Sequence, residues 1–235
     1  MKRLKYKNVE SEGDAAERIR SKELARYDRD YFNSHYWVED LPTRSGNRGL
    51  SYDDPDHSIR FETIAVALTQ AYGRRDFFLD VGCGPGLLLD ALKSRFKWIS
   101  GVDPSSTAIS LADALLSSSS CSSYALCQSE ARSLPFRSSS FDLVCCLDVL
   151  EHIPIFDIKA SIDELCRVAA ADIVLSINLD NPYEFHPTIL PRKDWQDLFL
   201  QNKGIQINSS TRRDLEQLVC SRYEEYDFFC FTKCE

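Results

Sequence analysis

Short, continuous apolar runs recur from Phe77 onward, and each is followed by a longer stretch in which apolar residues return at helical spacing. The pattern predicts strands near 77–81, 97–102, 124–128, 141–147 and 171–177, with helices near 86–95, 105–116, 157–168 and 191–202. A run apolar on every position suits a strand covered on both faces. Regular alternation of such strands with helices predicts a parallel sheet joined by right-handed crossovers. Beyond Gly204, the alternation in Ile205-Gln-Ile-Asn suggests a sixth strand, and Tyr226 to Thr232 suggests a seventh. Upstream, Ile59, Phe61, Ile64, Ala65, Leu68 and Ala71 share one helical face, with Asp56 or Ser58 as cap and Gly73 as stop. The expected fold is α/β, a doubly wound Rossmann-like sheet over 76–235, preceded by residues 1–75 as part of the same domain.

The first 75 residues are too many for a simple tail. Lys2, Arg3, Lys5 and Lys7 are soon balanced by Glu10, Glu12 and Asp14, which reads as a solvated, partly disordered start. Tyr27 to Trp37 is dense in aromatic and charged residues and reads as a helical lid. Leu41 to Asp56, rich in Pro, Gly, Asn and Ser, reads as a mobile loop, and the Ser-rich run 117–123 as a surface linker between the second core helix and the third strand.

With 235 residues, 43% of them hydrophobic, the chain can bury one sizeable core. A net charge of −8 argues against a nucleic-acid partner, whose phosphates draw on clustered Lys and Arg. No long apolar run or signal-peptide core stands in the sequence, so neither a membrane span nor export is expected, and the location expected is cytoplasmic. Nine cysteines form no C-x-x-C pair; Cys83, Cys127, Cys145, Cys146 and Cys166 sit within apolar patterns and read as reduced, buried small hydrophobes. Cys230 and Cys234 have ligand-like spacing but no partner His cluster, so no metal is expected.

The candidate chemistry starts where the first strand ends. Asp80 is followed by Gly82, Cys83, Gly84, Pro85 and Gly86, a loop in which glycines let the backbone turn and approach a ligand closely. The helix that follows would point free N–H groups at that ligand. Leu87 stands where a dinucleotide fingerprint needs its third glycine. A carboxylate in front of the loop suits a ligand bearing an amino group and a sulfonium rather than a pyrophosphate. The second strand ends at Asp103-Pro104, the place where doubly wound folds hold ribose hydroxyls with an acid; the alternative for Asp103 is an N-cap of the next helix.

The order Asp-x-Gly-x-Gly-x-Gly, then Asp103, then Glu130-Ala-Arg-Ser-Leu-Pro-Phe136, then Phe141 to His152 resembles the class I S-adenosylmethionine-dependent methyltransferases over about residues 76 to 152. The resemblance implies a seven-stranded sheet whose last strand is antiparallel and inserted beside the sixth, with S-adenosylmethionine as cofactor. It implies that Glu130 accepts a hydrogen bond from the adenine amino group, where the family more often has Asp, and that Ala131 offers its backbone. Leu147 and Asp148 would lie beside the methionine part. The Glu-His pair that follows would face the reaction centre, with His152 as a general base or, alternatively, as a residue that orients the loop. His186, in the long loop after the fifth strand, resembles a His of family members that modify small molecules, several of them sugars. The usual Pro-Gly-Gly turn is replaced by Val168-Ala-Ala-Ala-Asp172.

Tyr31, Tyr36 and Trp37 of the lid and Tyr183 of the loop are candidate acceptor contacts, while Trp195 reads as a packing anchor. The reading that results is O-methylation of a small polar molecule, a sugar or a glycosylated natural product, with Asp148 orienting the base or the acceptor. The alternatives are N-methylation of an amino sugar or of a protein side chain or terminus, a non-catalytic cofactor-binding regulatory module and, more remotely, hydride transfer. The lid aromatics either cover the cofactor within one chain or pack against a second copy as a homodimer; the pattern leaves both open.

Overall fold

The computed structural model describes residues 12–25, 27, 31–32, 55–73, 75–119, 121–179, 186–219 and 227–234. These form helix α1 (Glu12–Leu24), α2 (Pro55–Tyr72), β1 (Phe77–Val81), α3 (Leu87–Leu92), β2 (Trp98–Asp103), α4 (Ser106–Ser118), β3 (Tyr124–Gln128) and β4 (Phe141–Leu147). After a 3-10 turn at Leu150–His152 come α5 (Ile155–Val168), β5 (Ala169–Ser176), α6 (Arg192–Leu200), β6 (Ile205–Ile207), α7 (Ser209–Val219) and β7 (Phe228–Lys233).

The strands make a seven-stranded sheet in the order β3-β2-β1-β4-β5-β7-β6. β1 pairs in parallel with β2 and β4, whereas β7 runs antiparallel to both β5 and β6, as the resemblance implied. The chain order reverses direction between β1 and β4, and at such a switch point the carboxyl ends of the strands leave a crevice for ligand. Both faces of the sheet are covered. Phe78, Leu143 and Phe228 pack under Leu68, Leu88 and Leu215 on one side; Val144, Ile173 and Phe231 pack under Ile162, Leu165 and Phe199 on the other. Trp195 is fully buried within the second cluster, consistent with a packing anchor.

Several expectations need correction. The anticipated tail ends earlier than its charges suggested, because Glu12 already opens α1. α3 closes at Leu92, short of the expected 95, and α4 runs through Ser117 and Ser118, so the Ser-rich stretch begins as helix. Cys127 is half-buried rather than buried. α7 has no counterpart in the pattern reading: its sequence is largely polar, and only Leu215 and Val219, one turn apart, are buried. The Asn208 side chain opens it by accepting the Thr211 N–H at 3.1 Å. Tyr36, Trp37, Tyr183 and residues 41–54 of the anticipated loop lie outside the described residues.

At the end of the sheet away from the crevice, Asp172 near the start of β5 is buried, taking Arg75 Nη2 at 2.6 Å and the Thr232 hydroxyl at 2.8 Å. Removing one member of a buried ion pair strands the other. Because 32% of the Arg75 side chain faces water, Asp172→Ala is expected to cost about 2–3 kcal/mol, below the range for a fully enclosed pair. Urea unfolding measures that loss, and ligand affinity at the opposite end of the sheet should stay unchanged.

Candidate functional site

β1 delivers Asp80 to the crevice almost wholly buried, and the chain then turns through three glycines with φ of 77° (Gly82), 51° (Gly84) and 84° (Gly86). Left-handed backbone of this kind costs other residues about 1–2 kcal/mol each. The turn is also crowded: a Cβ on Gly82 would stand 2.3 Å from Val149 Cγ2, and one on Gly86 would stand 2.9 Å from the Ala112 Cβ. The Val102 carbonyl accepts the N–H groups of Gly82 (2.8 Å) and Cys83 (3.0 Å), Asp103 Oδ2 accepts that of Gly84 (3.0 Å), and the Cys83 carbonyl accepts that of Gly86 (3.0 Å). Four N–H groups of the loop are therefore spent internally, and Pro85 has none. What the loop itself offers a ligand is close approach rather than a cradle of donors.

Asp103, at the end of β2, also accepts the Ser105 N–H through Oδ1 at 2.8 Å. Ser105, not Asp103, caps α4, its hydroxyl accepting the Ala108 N–H at 3.3 Å. Burial lifts the Asp103 carboxyl to about 6 despite these two bonds, and burial together with the nearby Asp103 charge lifts Asp80 to about 7. Two buried acids facing one cavity make it hospitable to a cation and to hydroxyl or amino donors, and hostile to phosphate.

Pro104, Glu130 and Ala131 continue the same wall. Glu130 is already held by Arg132, which donates through Nε at 2.6 Å and Nη2 at 3.2 Å. On the other side, Leu147 and Asp148 end β4. Asp148 adopts φ of 54°, a conformation that Asp tolerates better than most residues. Its Oδ2 accepts Arg60 Nη2 of α2 at 2.8 Å, its Oδ1 accepts the Ser176 hydroxyl, and its N–H donates to the Ser176 carbonyl at 2.9 Å.

The 3-10 turn then presents Glu151 and His152. Glu151 is 1% exposed. Its Oε1 accepts the Asn178 N–H at 2.8 Å, while its buried Oε2 has no hydrogen-bond partner among the described residues. Burial, reinforced by Asp148, pushes this carboxyl up to about 8. The rings of His152 and His186 meet edge to face with centroids 4.6 Å apart, and Tyr27 approaches His152 from the other side at 6.3 Å. Thr188 docks the segment that carries His186 onto the turn: its N–H donates to the Glu151 carbonyl at 3.2 Å and its hydroxyl to the Ile153 carbonyl at 2.7 Å.

α1 closes the cavity from above. Arg20 grips the buried Asp157 of α5 through Nε (2.7 Å) and Nη2 (2.8 Å), and the Ser105 hydroxyl donates to the Tyr27 carbonyl at 2.6 Å. Leu24, Tyr27, Tyr31, Phe32 and Ile153 give this part of the lining an apolar, aromatic character. Asp80, Asp103, Glu130, Leu147, Asp148 and His152 thus share one cavity, and His186 abuts it through His152. The pattern reading passed over Arg20, Asp157, Arg60 and Arg132; nothing local marks the first three, since each is placed by an ion pair that the fold creates, whereas Arg132 stands only two positions from its partner Glu130.

Residues 78–172 match the family described as the methyltransferase domain. A ubiquinone biosynthesis O-methyltransferase of Azoarcus sp. (strain BH72) is 39% identical over 77 residues, 32% of this chain and 33% of that protein. The match therefore spans a third of that relative's length. Among solved structures, the N-methyltransferase NodS from Bradyrhizobium japonicum WM9, in complex with S-adenosyl-L-homocysteine, is similar at a TM-score of 0.64 and 15% identity, covering 91% of this chain and 99% of that one. Magnesium protoporphyrin IX methyltransferase from Synechocystis PCC 6803, with bound SAM, is similar at a TM-score of 0.60 and 21% identity, covering 88% and 95%. At these identities the structural likeness shows the fold.

Proposed function

From the premise that residues 78–172 form a methyltransferase domain on the class I fold, we propose that the chain transfers the methyl group of S-adenosylmethionine to a hydroxyl of a small molecule. The observation that carries the reading is the chemistry of the cavity: two buried acids, Asp80 and Asp103, stand beside a glycine loop whose N–H groups are already engaged. A pyrophosphate would meet negative charge and few donors there. S-adenosylmethionine brings an ammonium, a sulfonium and two ribose hydroxyls. Asp103 is the ribose acceptor, since each of its oxygens keeps a lone pair beyond its backbone bond. Asp80, Gly82, Cys83, Gly84 and Gly86 line the path of the methionine part, with Leu147 and Asp148 across from it. Pro104, Glu130 and Ala131 face the adenine, and Glu130 accepts its amino group while staying paired with Arg132. Residues 1–75 act as the lid of the same unit as the core 76–235.

The reaction is an in-line displacement. The acceptor oxygen forms a bond to the methyl carbon as the carbon–sulfur bond breaks, the sulfur keeps the electron pair as a neutral thioether, and the hydroxyl proton must leave. Holding oxygen, carbon and sulfur in line supplies about 7–11 kcal/mol of the barrier. The acceptor enters beside His152, His186 and Asp148, under Tyr27 and Tyr31. That apolar, aromatic lining favours an acceptor with a flat ring bearing the hydroxyl over a bare sugar, which revises the acceptor expected from sequence.

The test pairs binding with turnover. S-adenosylmethionine should raise the unfolding temperature, as a ligand selective for the folded state does, and a nicotinamide dinucleotide should leave it unmoved. With labelled methyl donor, phenolic acceptors should gain label ahead of sugar hydroxyls. Label found only on amines would replace the hydroxyl with an N-acceptor, and stabilisation without any consumption of donor by any acceptor would leave a regulatory module instead.

A further inference from the structure

We propose that Glu151, His152 and His186 bind one divalent transition-metal cation at the inner end of the cavity. One carboxylate oxygen and one ring nitrogen from each His all lie within 4.8 Å of one another. Donors bound to one such cation at tetrahedral angles stand about 3.4 Å apart, so closure draws each side chain inward by up to about an ångström.

A second observation points to a ligand independently of that proximity. Glu151 Oε2 is buried and has no hydrogen-bond partner among the described residues, in a side chain 1% exposed. A buried polar atom left in this state is costly, and a cation offsets the cost directly. The surroundings are built for orientation. Asn178 fixes Oε1, leaving Oε2 as the free coordinating atom, and Thr188 ties the segment bearing His186 to the carbonyls of Glu151 and Ile153. Metal ligands typically carry such outer hydrogen bonds. Asp148, already committed to Arg60 and Ser176, adds negative charge nearby without competing as a ligand.

Two imidazoles and one carboxylate select cations of the Mn2+ to Zn2+ series over Mg2+ and Ca2+, which favour all-oxygen sets. Three protein ligands leave positions open. Resting on the methyl-transfer reading above, the cation deepens it: the acceptor hydroxyl occupies an open position, its pKa falls, its proton leaves to water, and the oxygen attacks the methyl carbon as an anion. Two adjacent open positions suit two adjacent oxygens, so the acceptor class narrows to molecules carrying a second oxygen beside the hydroxyl that is methylated. The cation, rather than a free His152 base, then removes the need for a proton acceptor among the side chains.

Mn2+ is the appropriate reporter, because thiolates such as that of exposed Cys234 attract it less than they attract Zn2+. The full chain, stripped with chelator, is titrated with Mn2+ by equilibrium dialysis and by loss of the free-ion paramagnetic signal. One Mn2+ per chain is expected, with affinity weakened roughly 100-fold in Glu151→Gln and in His186→Asn, while both variants keep the thermal shift produced by S-adenosyl-L-homocysteine. That retained shift shows that the variants are folded with the cofactor cavity intact. Binding of less than one Mn2+ per chain, or equal binding by wild type and both variants, overturns the site. A chain that binds Mn2+ at these residues but never consumes methyl donor upholds the cation and overturns the acceptor reading instead.

Discussion

Asp80→Asn is expected to lower affinity for S-adenosylmethionine by about 100-fold or more, the loss associated with breaking a buried charge pair, and at the same time to stabilise the ligand-free chain at pH 8. Both effects come from one carboxyl. Asp80 is 4% exposed and its pKa is raised to about 7 by burial first and by Asp103 second. In the unfolded chain the group titrates near 4. The folded state therefore holds this proton more tightly than the unfolded state. Its destabilising contribution is absent below about pH 4, grows as pH rises, and is complete above about pH 7. Asp103, raised to about 6, contributes in the same direction over the lower part of that window. Ligand-free stability should fall between pH 5 and pH 8, and the rise in unfolding temperature produced by the cationic cofactor should be larger at pH 8 than at pH 6. Glu151, raised to about 8, acts in the same direction; the Asp80→Asn substitution removes the Asp80 share of that dependence and should gain about 1–2 kcal/mol at pH 8, an order-of-magnitude figure from the linkage of pKa to stability. Thermal scans over this pH range, with and without cofactor, together with calorimetric titration, decide the matter. Affinity within a few-fold of wild type, or a variant less stable than wild type at pH 8, would remove Asp80 from the cofactor site.

The parts of this site that could be read from sequence are those fixed by local chain geometry. A strand that ends in an acid and breaks into glycines has few other ways to fold, so Asp80 and Gly82, Gly84 and Gly86 were placed by pattern alone, as was Asp103 one strand later. The carboxyl ends of β1, β2 and β4 then meet because a parallel sheet brings like ends together. Pattern could not show how the hydrogen-bonding capacity of these groups is divided. That the N–H groups of Gly82, Cys83 and Gly84 are consumed by Val102 and Asp103 is an outcome of tertiary packing. The same holds for the Arg20–Asp157 pair that docks α1, whose partners are separated by 137 positions. Glu151 stood in view as half of a Glu-His pair, but its significance lies in a buried oxygen without a partner among the described residues and in the approach of His186, both created by the fold. α7 escaped because two buried positions in an otherwise polar segment are too few to register as a period.

The loop geometry supports a second large effect, on stability and binding together. Gly82→Ala is expected to cost about 3 kcal/mol, from two sources that a second substitution separates. A left-handed backbone at φ 77° penalises any Cβ by about 1–2 kcal/mol. The new methyl would also stand 2.3 Å from Val149 Cγ2 and 3.1 Å from Cγ1, and overpacking of this kind typically costs another 1–3 kcal/mol. Val149 is the residue between Asp148 and the turn that bears Glu151 and His152, so the collision is passed from the cofactor loop to the acceptor end of the cavity. Gly82→Ala should therefore weaken cofactor affinity and, where methyl transfer is measurable, reduce turnover more than affinity. Val149→Ala in the same chain removes both clashing carbons. It should restore the overpacking share and leave the backbone share, so that the double variant is more stable than Gly82→Ala alone while remaining below Val149→Ala. A coupling energy near zero in this double-mutant cycle would mean that the loop and the turn move independently, and the link between the two ends of the cavity would be lost.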